Sequence, residues 1–346
     1  MKKRRILSLA LALAMTFTLA SCGNNVENNS SGSAVSGGNK SGGGAPASSF
    51  PNQTITLICP YGAGGGTDVL LRSLADAAGK IAGVNIVVEN ITGGNGATGV
   101  VTMMDSAPDG YTIGSCSGEW IALKEMGLAP EDFDYNNSEM IMHYNFDPAC
   151  YLVPVDSPYQ SIEDIIAAAK AAPGEITLGV TAAGGSHHLA SLLFQKESGT
   201  EFNVVPYSEG SAACVTALMS GQVEIGSVCP AEAIAQIQAG QVRILGICSE
   251  ERLASYPDVP TLKESGYNVV YGAWRGLCAP KGTPTEVVDK LEEVFLAAAD
   301  SQSFKDFCAS NNNELDVLDK AAFEERFVSQ EELIKQVCAI YAELQG

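Results

Sequence analysis

The chain has little positive charge. Its 346 residues carry 20 Lys and Arg against 40 Asp and Glu, a formal net charge of −20. Such a surface repels phosphate backbones and anionic lipid headgroups, which excludes nucleic acid as a partner. Histidine is scarcer still, with only His143, His187 and His188. Neighbouring residues on a helix point about 100° apart, and no third ligand is spaced near His187 and His188, so the pair supports no metal site and one exposed and one cleft-facing histidine are expected instead. The 10 cysteines contain no C-x-x-C spacing, so neither a zinc nor an iron–sulfur framework is supported. Those beyond Cys22 are scattered singly through apolar stretches and are expected to be free buried thiols that act as small apolar residues. There is no calcium loop of the D-x-[DN]-x-[DN]-G kind and no G-x-x-x-x-G-K-[ST] phosphate loop. No metal and no cofactor are expected.

The N-terminus is different in character. Lys2-Lys3-Arg4-Arg5 precedes an uncharged run, Ile6–Ala20, that is too short to span a bilayer comfortably and has the charge order of a secretory signal. It ends in "LASC", which resembles a bacterial lipoprotein cleavage box with Cys22 as the lipidated first residue of the mature chain; an ordinary signal cut nearby is the alternative. Residues 1–21 hold four basic and no acidic residues, so their removal takes the net charge from −20 to −24. Gly23–Phe50 is Gly, Ser and Asn with almost nothing apolar, a flexible tether of about 30 Å. Acyl chains on Cys22 would anchor the protein to a membrane from the extracytoplasmic side.

From Thr54 onward short apolar strands alternate with amphipathic helices. Strands are expected at 54–59, 85–89, from 111, 150–154, 175–180, 202–206, 225–229 and 242–248. Helices are expected at 68–78, 96–105, 161–171, 187–197, 212–220 and 231–239. After Pro280 the pattern is mainly helical, over 285–301, 303–311 and 321–344. Repeated βα units predict parallel sheets covered by helices. A module of about 295 residues exceeds one comfortable core, so two α/β lobes are expected.

Two stretches share one design. "TLICPYGAGGGTDVLLRSLADAAG" (56–79) and "ITLGVTAAGGSHHLASLLFQ" (176–195) each read as a strand, a small-residue loop and a helix. Helix starts carry free N–H groups and partial positive charge, so each is suited to an anion. In open α/β sheets such loops lie at the carboxyl ends of strands, where ligands bind. Neither is a nucleotide loop: after Gly62 and Gly64, Thr67 stands where a dinucleotide fingerprint needs its last glycine, and Asp68 follows. One enzymatic signal exists, "GSCSGEW" (114–120), a G-x-C-x-G that places Cys116 as in a nucleophile elbow. An α/β-hydrolase reading then requires a late histidine, and none follows His188.

Further segments accompany these loops: "IVVENITGGNGATG", "APDGYTI", "SHHLASLLF", "VPYSEGSAACVTALMSGQVEIG", "RLASYPDVPTLKESGY" and "WRGLCAPKGTP". Together with "PYGAGGGTD", in this order and spacing, they resemble the extracytoplasmic solute receptors of tripartite tricarboxylate transporters, the Bug family, from about Ile55 to the C-terminus. The resemblance implies a two-lobed type II periplasmic-binding-protein fold, a Venus flytrap with two crossovers. Lobe 1 would be residues 54–151 plus 273–346 and lobe 2 residues 152–272. It implies a receptor, not an enzyme, that captures a small organic carboxylate, such as a tricarboxylate or dicarboxylate, and delivers it to membrane permease subunits. The alternatives are an extracytoplasmic hydrolase using Cys116 and a ligand sensor for a signalling kinase. Carried over by position, ligand contacts would come from Tyr61, Gly62, Ala63, Gly64, Gly65, Thr67 and Asp68 on lobe 1. On lobe 2 they would come from Thr181, Ala182, Ala183, Gly185, Ser186 and His187. Ser117, Tyr207, Ser208 and Trp274 would line the cleft. Asp68 reads physically as a first-turn carboxylate that caps its own helix and shapes the loop. Arg275 would either pair with a distal ligand carboxylate or form a lobe–lobe ion pair.

Overall fold

The computed structural model describes residues 50–345, Asp132 excepted. The basic cluster, the Ile6–Ala20 run, Cys22 and the tether up to Ser49 lie outside the described residues.

The chain runs β1 (Ile55–Cys59), α1 (Gly66–Ala82), β2 (Ile86–Asn90), α2 (Ala97–Met104), β3 (Thr112–Cys116), α3 (Glu119–Glu125) and β4 (Ser138–Pro148). It continues with β5 (Cys150–Pro154), α4 (Ile162–Ala171), β6 (Thr177–Thr181), α5 (Ser186–Ser198), β7 (Asn203–Tyr207), α6 (Ser211–Met219), β8 (Ile225–Val228), α7 (Ile234–Gln238) and β9 (Val242–Ile247). It closes with β10 (Gly272–Pro280), α8 (Thr285–Asp300), α9 (Gln302–Asn311), β11 (Leu315–Leu318) and α10 (Lys320–Gln345).

These elements form two sheets, of order β11-β4-β10-β3-β1-β2 and β7-β6-β8-β5-β9. This is the expected two-lobed α/β architecture with one correction. The sheets are mixed. β1 pairs in parallel with β2 and β3, and β6 with β7 and β8, but β10 runs antiparallel between β3 and β4, and β5 antiparallel between β8 and β9. β4 leads directly into β5 through Ala149, whose N–H donates to Tyr271 O at 3.0 Å, so outgoing and returning chains lie side by side where they pass between the sheets.

Local chemistry explains the elements. α1 buries Leu70, Leu71, Leu74, Ala75, Ala77 and Ala78 on one face and stops at Gly83, whose φ of 70° is the left-handed conformation that glycine adopts at no steric cost. α4 starts at Ser161 with a capping box completed by Asp164. α5 is buried nearly all round because β6 and β8 of the second half cover one side and β10 and α10 of the first half the other. α10 packs against α3 and β4 of the first half and α5 of the second. All nine cysteines among the described residues are free and buried. Among the described residues no helix is long and apolar enough to cross a membrane.

Candidate functional site

A cavity of about 810 Å³ lies between the halves. Its walls contain the residues of both glycine loops: Tyr61, Gly62, Ala63, Gly64, Gly65 and Thr67 from the first, and Thr181, Ala182, Gly185, Ser186 and His187 from the second. Ser117, Ser208, Trp274 and Arg275 also line it. Asp68, Ala183 and Tyr207 do not line it. Asp68 is buried beneath its loop, the half-buried Ala183 has its carbonyl accepting from Asn95 Nδ2 at 3.3 Å, and the Tyr207 ring packs toward Gly179 on β6.

The first loop is shaped from below. Gly64, at φ 79°, directs its N–H to Asp68 Oδ2 at 2.8 Å, and the same carboxylate accepts from Arg72 Nε at 3.1 Å and Asn90 Nδ2 at 2.8 Å. Burial alone would raise the Asp68 pKa; Arg72, the Gly64 N–H and Asn90 outweigh it and hold the carboxyl below its ordinary range. Gly65 is no ligand donor, because its N–H closes a turn onto Gly62 O at 3.2 Å. Among the described residues the next two N–H groups, Gly66 and Thr67 in the first turn of α1, have no acceptor. Beside them stands Arg275, 5% exposed. Its Nε donates to Thr67 Oγ1 at 2.9 Å and its Nη1 to Asp147 Oδ2 at 2.7 Å and to Asn145 Oδ1. Burial opposes the charged guanidinium, but the Asp147 carboxylate overrides it and raises the Arg275 pKa. The pair is formed within the first half, across neighbouring strands β4 and β10, and is not a lobe–lobe bridge. Arg275 Nη2 makes no hydrogen bond among the described residues and lies 3.6 Å from where a Cβ on Gly66 would be.

The second loop is already engaged. Gly184 N–H donates to His188 Nδ1 at 3.1 Å and Gly185 N–H to Ala182 O at 2.8 Å. The first N–H of α5, on Ser186, donates to Glu119 Oε1 at 3.3 Å, as does the Ser186 hydroxyl. Glu119 comes from the first half, where its other oxygen accepts from Ser117 Oγ at 2.8 Å and from the Tyr61 hydroxyl. A protein carboxylate therefore fills one of the two anion-favouring helix starts. Burial, with the Glu119 charge adding to it, keeps the Tyr61 phenol well above its ordinary pKa and hence a donor. Nothing local in the sequence marks Glu119, although it lies inside the "GSCSGEW" segment, because its partner is 67 residues away.

Neither neighbouring histidine is exposed. The His188 ring meets Tyr341 edge-on at 5.3 Å, and burial lowers its pKa to about 4. His187 Nδ1 lies 3.0 Å from Thr181 Oγ1, and its Nε2 lies 3.2 Å from Cys229 Sγ and 3.4 Å from Glu232 Oε2. Contrary to the expectation from spacing, folding brings two potential ligands to His187 from the segment after β8. Cys116 is buried outside the cavity wall, and the thiol beside His187 belongs to Cys229 instead. Burial first, then the charges of Glu232 and Asp147, push the Cys229 thiol well up, so this pair is a neutral contact and not an activated nucleophile. The elbow reading of Cys116 has no geometric support.

Comparison with known proteins agrees with this geometry. The family described as "Tripartite tricarboxylate transporter family receptor" matches residues 70–344. A UPF0065 protein of Cupriavidus necator is 34% identical over 267 residues, covering 77% of this chain and 80% of that protein. A TctC solute-binding protein from Polaromonas has 32% identity and a TM-score of 0.70, over 83% of this chain and 98% of that one. The R. palustris protein Rpa4515, solved with adipate, has 25% identity and a TM-score of 0.76, over 84% of this chain and 98% of that one. Two sheets with a loop-lined cavity between them, and a match running through both halves, show that the chain belongs to the tripartite tricarboxylate transporter receptor family.

Proposed function

We propose that the protein is an extracytoplasmic receptor that captures a small organic carboxylate and delivers it to the membrane permease subunits of a tripartite tricarboxylate transporter. The observation that carries this reading is the junction of the acceptor-less Gly66 and Thr67 N–H groups with Arg275 Nη2 on one wall of the cavity. Helix-start amides and a guanidinium together take a carboxylate without any excess of basic side chains, which reconciles an acidic chain with an anionic guest. The start of α5 already holds Glu119, so the ligand carboxylate is assigned to the start of α1, with the second loop and Ser208 closing over the remainder. The adipate in the R. palustris relative supports a dicarboxylate of this size.

Residues 54–151 plus 273–346 and residues 152–272 would move as two bodies about the paired crossings near Ala149 and Tyr271, and the permease would recognise the closed form. No bond is made or broken. Lipidation of Cys22 after removal of residues 1–21 would keep the receptor at the membrane, where the acyl chains suffice as an anchor. A thermal-unfolding screen against small organic acids tests the reading. A ligand at 100 times its Kd adds about 2.7 kcal/mol, a rise in melting temperature of about 5 °C for a module of this size. No shift with any di- or tricarboxylate at millimolar concentration refutes it.

A further inference from the structure

One cluster at the edge of the cavity joins His187 to two groups that follow β8. His187 is in the first turn of α5, while Cys229 caps and Glu232 lies within a 3-10 turn, Pro230–Ala233, after β8. One nitrogen, one sulfur and one carboxylate oxygen lie within 4.8 Å of one another. His187 Nε2 is 3.2 Å from Cys229 Sγ and 3.4 Å from Glu232 Oε2. Zinc bonds of about 2.3 Å to sulfur and about 2.0–2.2 Å to nitrogen and oxygen, at tetrahedral angles, give ligand–ligand edges of about 3.3–3.6 Å. The His187–Glu232 edge therefore already has the required length, and the His187–Cys229 edge has only to lengthen by about 0.3 Å.

The surroundings fit as well. His187 Nδ1 is held 3.0 Å from Thr181 Oγ1, a contact that orients the ring and aims Nε2 at the other two groups. Glu232 is fixed by the Cys229 N–H at 2.8 Å. His187 and Cys229 are buried, whereas Glu232 retains 17% side-chain exposure and, with His187, forms part of the cavity wall. Three protein ligands of mixed softness with one side toward a cavity are the arrangement of a zinc site that keeps a position open.

We propose that His187 Nε2, Cys229 Sγ and Glu232 bind a zinc-class divalent cation, with the remaining coordination position facing the cavity. Binding replaces the thiol proton of Cys229 by the metal, and that proton leaves to solvent.

The test is a titration of the chelator-treated, thiol-reduced protein with zinc chloride alone, by calorimetry in two buffers of different ionisation enthalpy. One zinc per chain and one proton released per zinc are expected. Cys229→Ser and His187→Gln are each expected to weaken binding by more than about 100-fold and Thr181→Val by about tenfold. Cobalt(II) in place of zinc should show a thiolate charge-transfer band that Cys229→Ser abolishes. Should the buried variants fail to fold in chelator, Glu232→Gln, at the cavity edge, carries the same test. Absence of stoichiometric binding, or an affinity that these substitutions leave unchanged, overturns the site. The organic-acid screen is run in chelator, so a failure of the receptor reading and a failure of this site are read separately.

Discussion

Gly66→Pro separates capture from folding. Gly66 is the first residue of α1, the one helical position where proline is favoured, because its N–H has no intrahelical acceptor. The preceding residue must then be extended, and Gly65 already is, at φ −73° and ψ 165°. A Cβ at Gly66 meets Arg275 Nη2 at 3.6 Å and Glu232 Oε1 at 3.8 Å, ordinary contact distances. The Cβ is therefore accommodated, the first helical position tolerates the missing N–H, and the restriction on the unfolded chain adds about 0.4–1 kcal/mol of stability. What disappears is one N–H donor at the assigned carboxylate site. A hydrogen bond to a charged group contributes about 1.5–3 kcal/mol, so affinity for the acid that stabilises the wild type most should fall about 10- to 150-fold. Calorimetric titration of both proteins, alongside their unfolding curves, measures this. An affinity within twofold of wild type in a variant that melts normally would refute the placement of the anion at the start of α1.

Other perturbations probe the frame around the site. Arg275→Met leaves the buried Asp147 carboxylate without its cation, at a cost of about 3–5 kcal/mol. Scanning calorimetry should show a melting point about 6–10 °C lower, with Asp147→Asn in the same chain recovering most of it. His143 donates Nδ1–H to Asp316 O and is fully buried, facing Asp316 on β11, Arg326 on α10 and Arg275 on β10. Burial, against the pull of Asp316, lowers its pKa to about 4, so on acidification the unfolded chain, near 6.5, takes the proton first. Stability is thus retained above pH 6.5 and lost as pH falls toward 4, and urea midpoints at pH 7 and 4.5 should diverge less for His143→Phe. Glu119→Ala removes the carboxylate that joins Ser186 to Ser117 and Tyr61, and small-angle scattering of the ligand-free variant should show a larger radius of gyration. Gly272→Ala would place a Cβ 2.2 Å from Asp147 O, where backbone must shift, and chemical denaturation should report a loss of about 1–3 kcal/mol.

The sequence displays those parts of the molecule whose partners are near in the chain. β5 begins and ends where apolar patterning puts it, and α4 is marked by Ser161 and Asp164. Both glycine loops are visible because a strand, small residues and a helix follow one another. β4, β10 and β11 escape notice, and with them the antiparallel character of the sheets. β10, Gly272–Pro280, is buried at every position, so it has no alternation of polar and apolar residues, and Gly272, Gly276 and Pro280 look like turn residues. Gly276 is required because a Cβ there would lie 2.3 Å from the Phe323 ring. In the site, the residues missed are those whose partners come from the other half or from a distant segment. Glu119 reaches across to Ser186, and Cys229 and Glu232 converge on His187, and no local periodicity encodes such meetings.

The place of β10 bears on how the chain must come together. When Tyr271 has been made, β1–β4 exist, yet β3 and β4 have nothing between them, since the strand that pairs with both is Gly272–Pro280. The later sheet has all its strands by Ile247. The half that starts first in the chain therefore finishes last. A fragment cut after the second half would hold one whole sheet and one split in two, so no truncation at that boundary yields an independent first lobe.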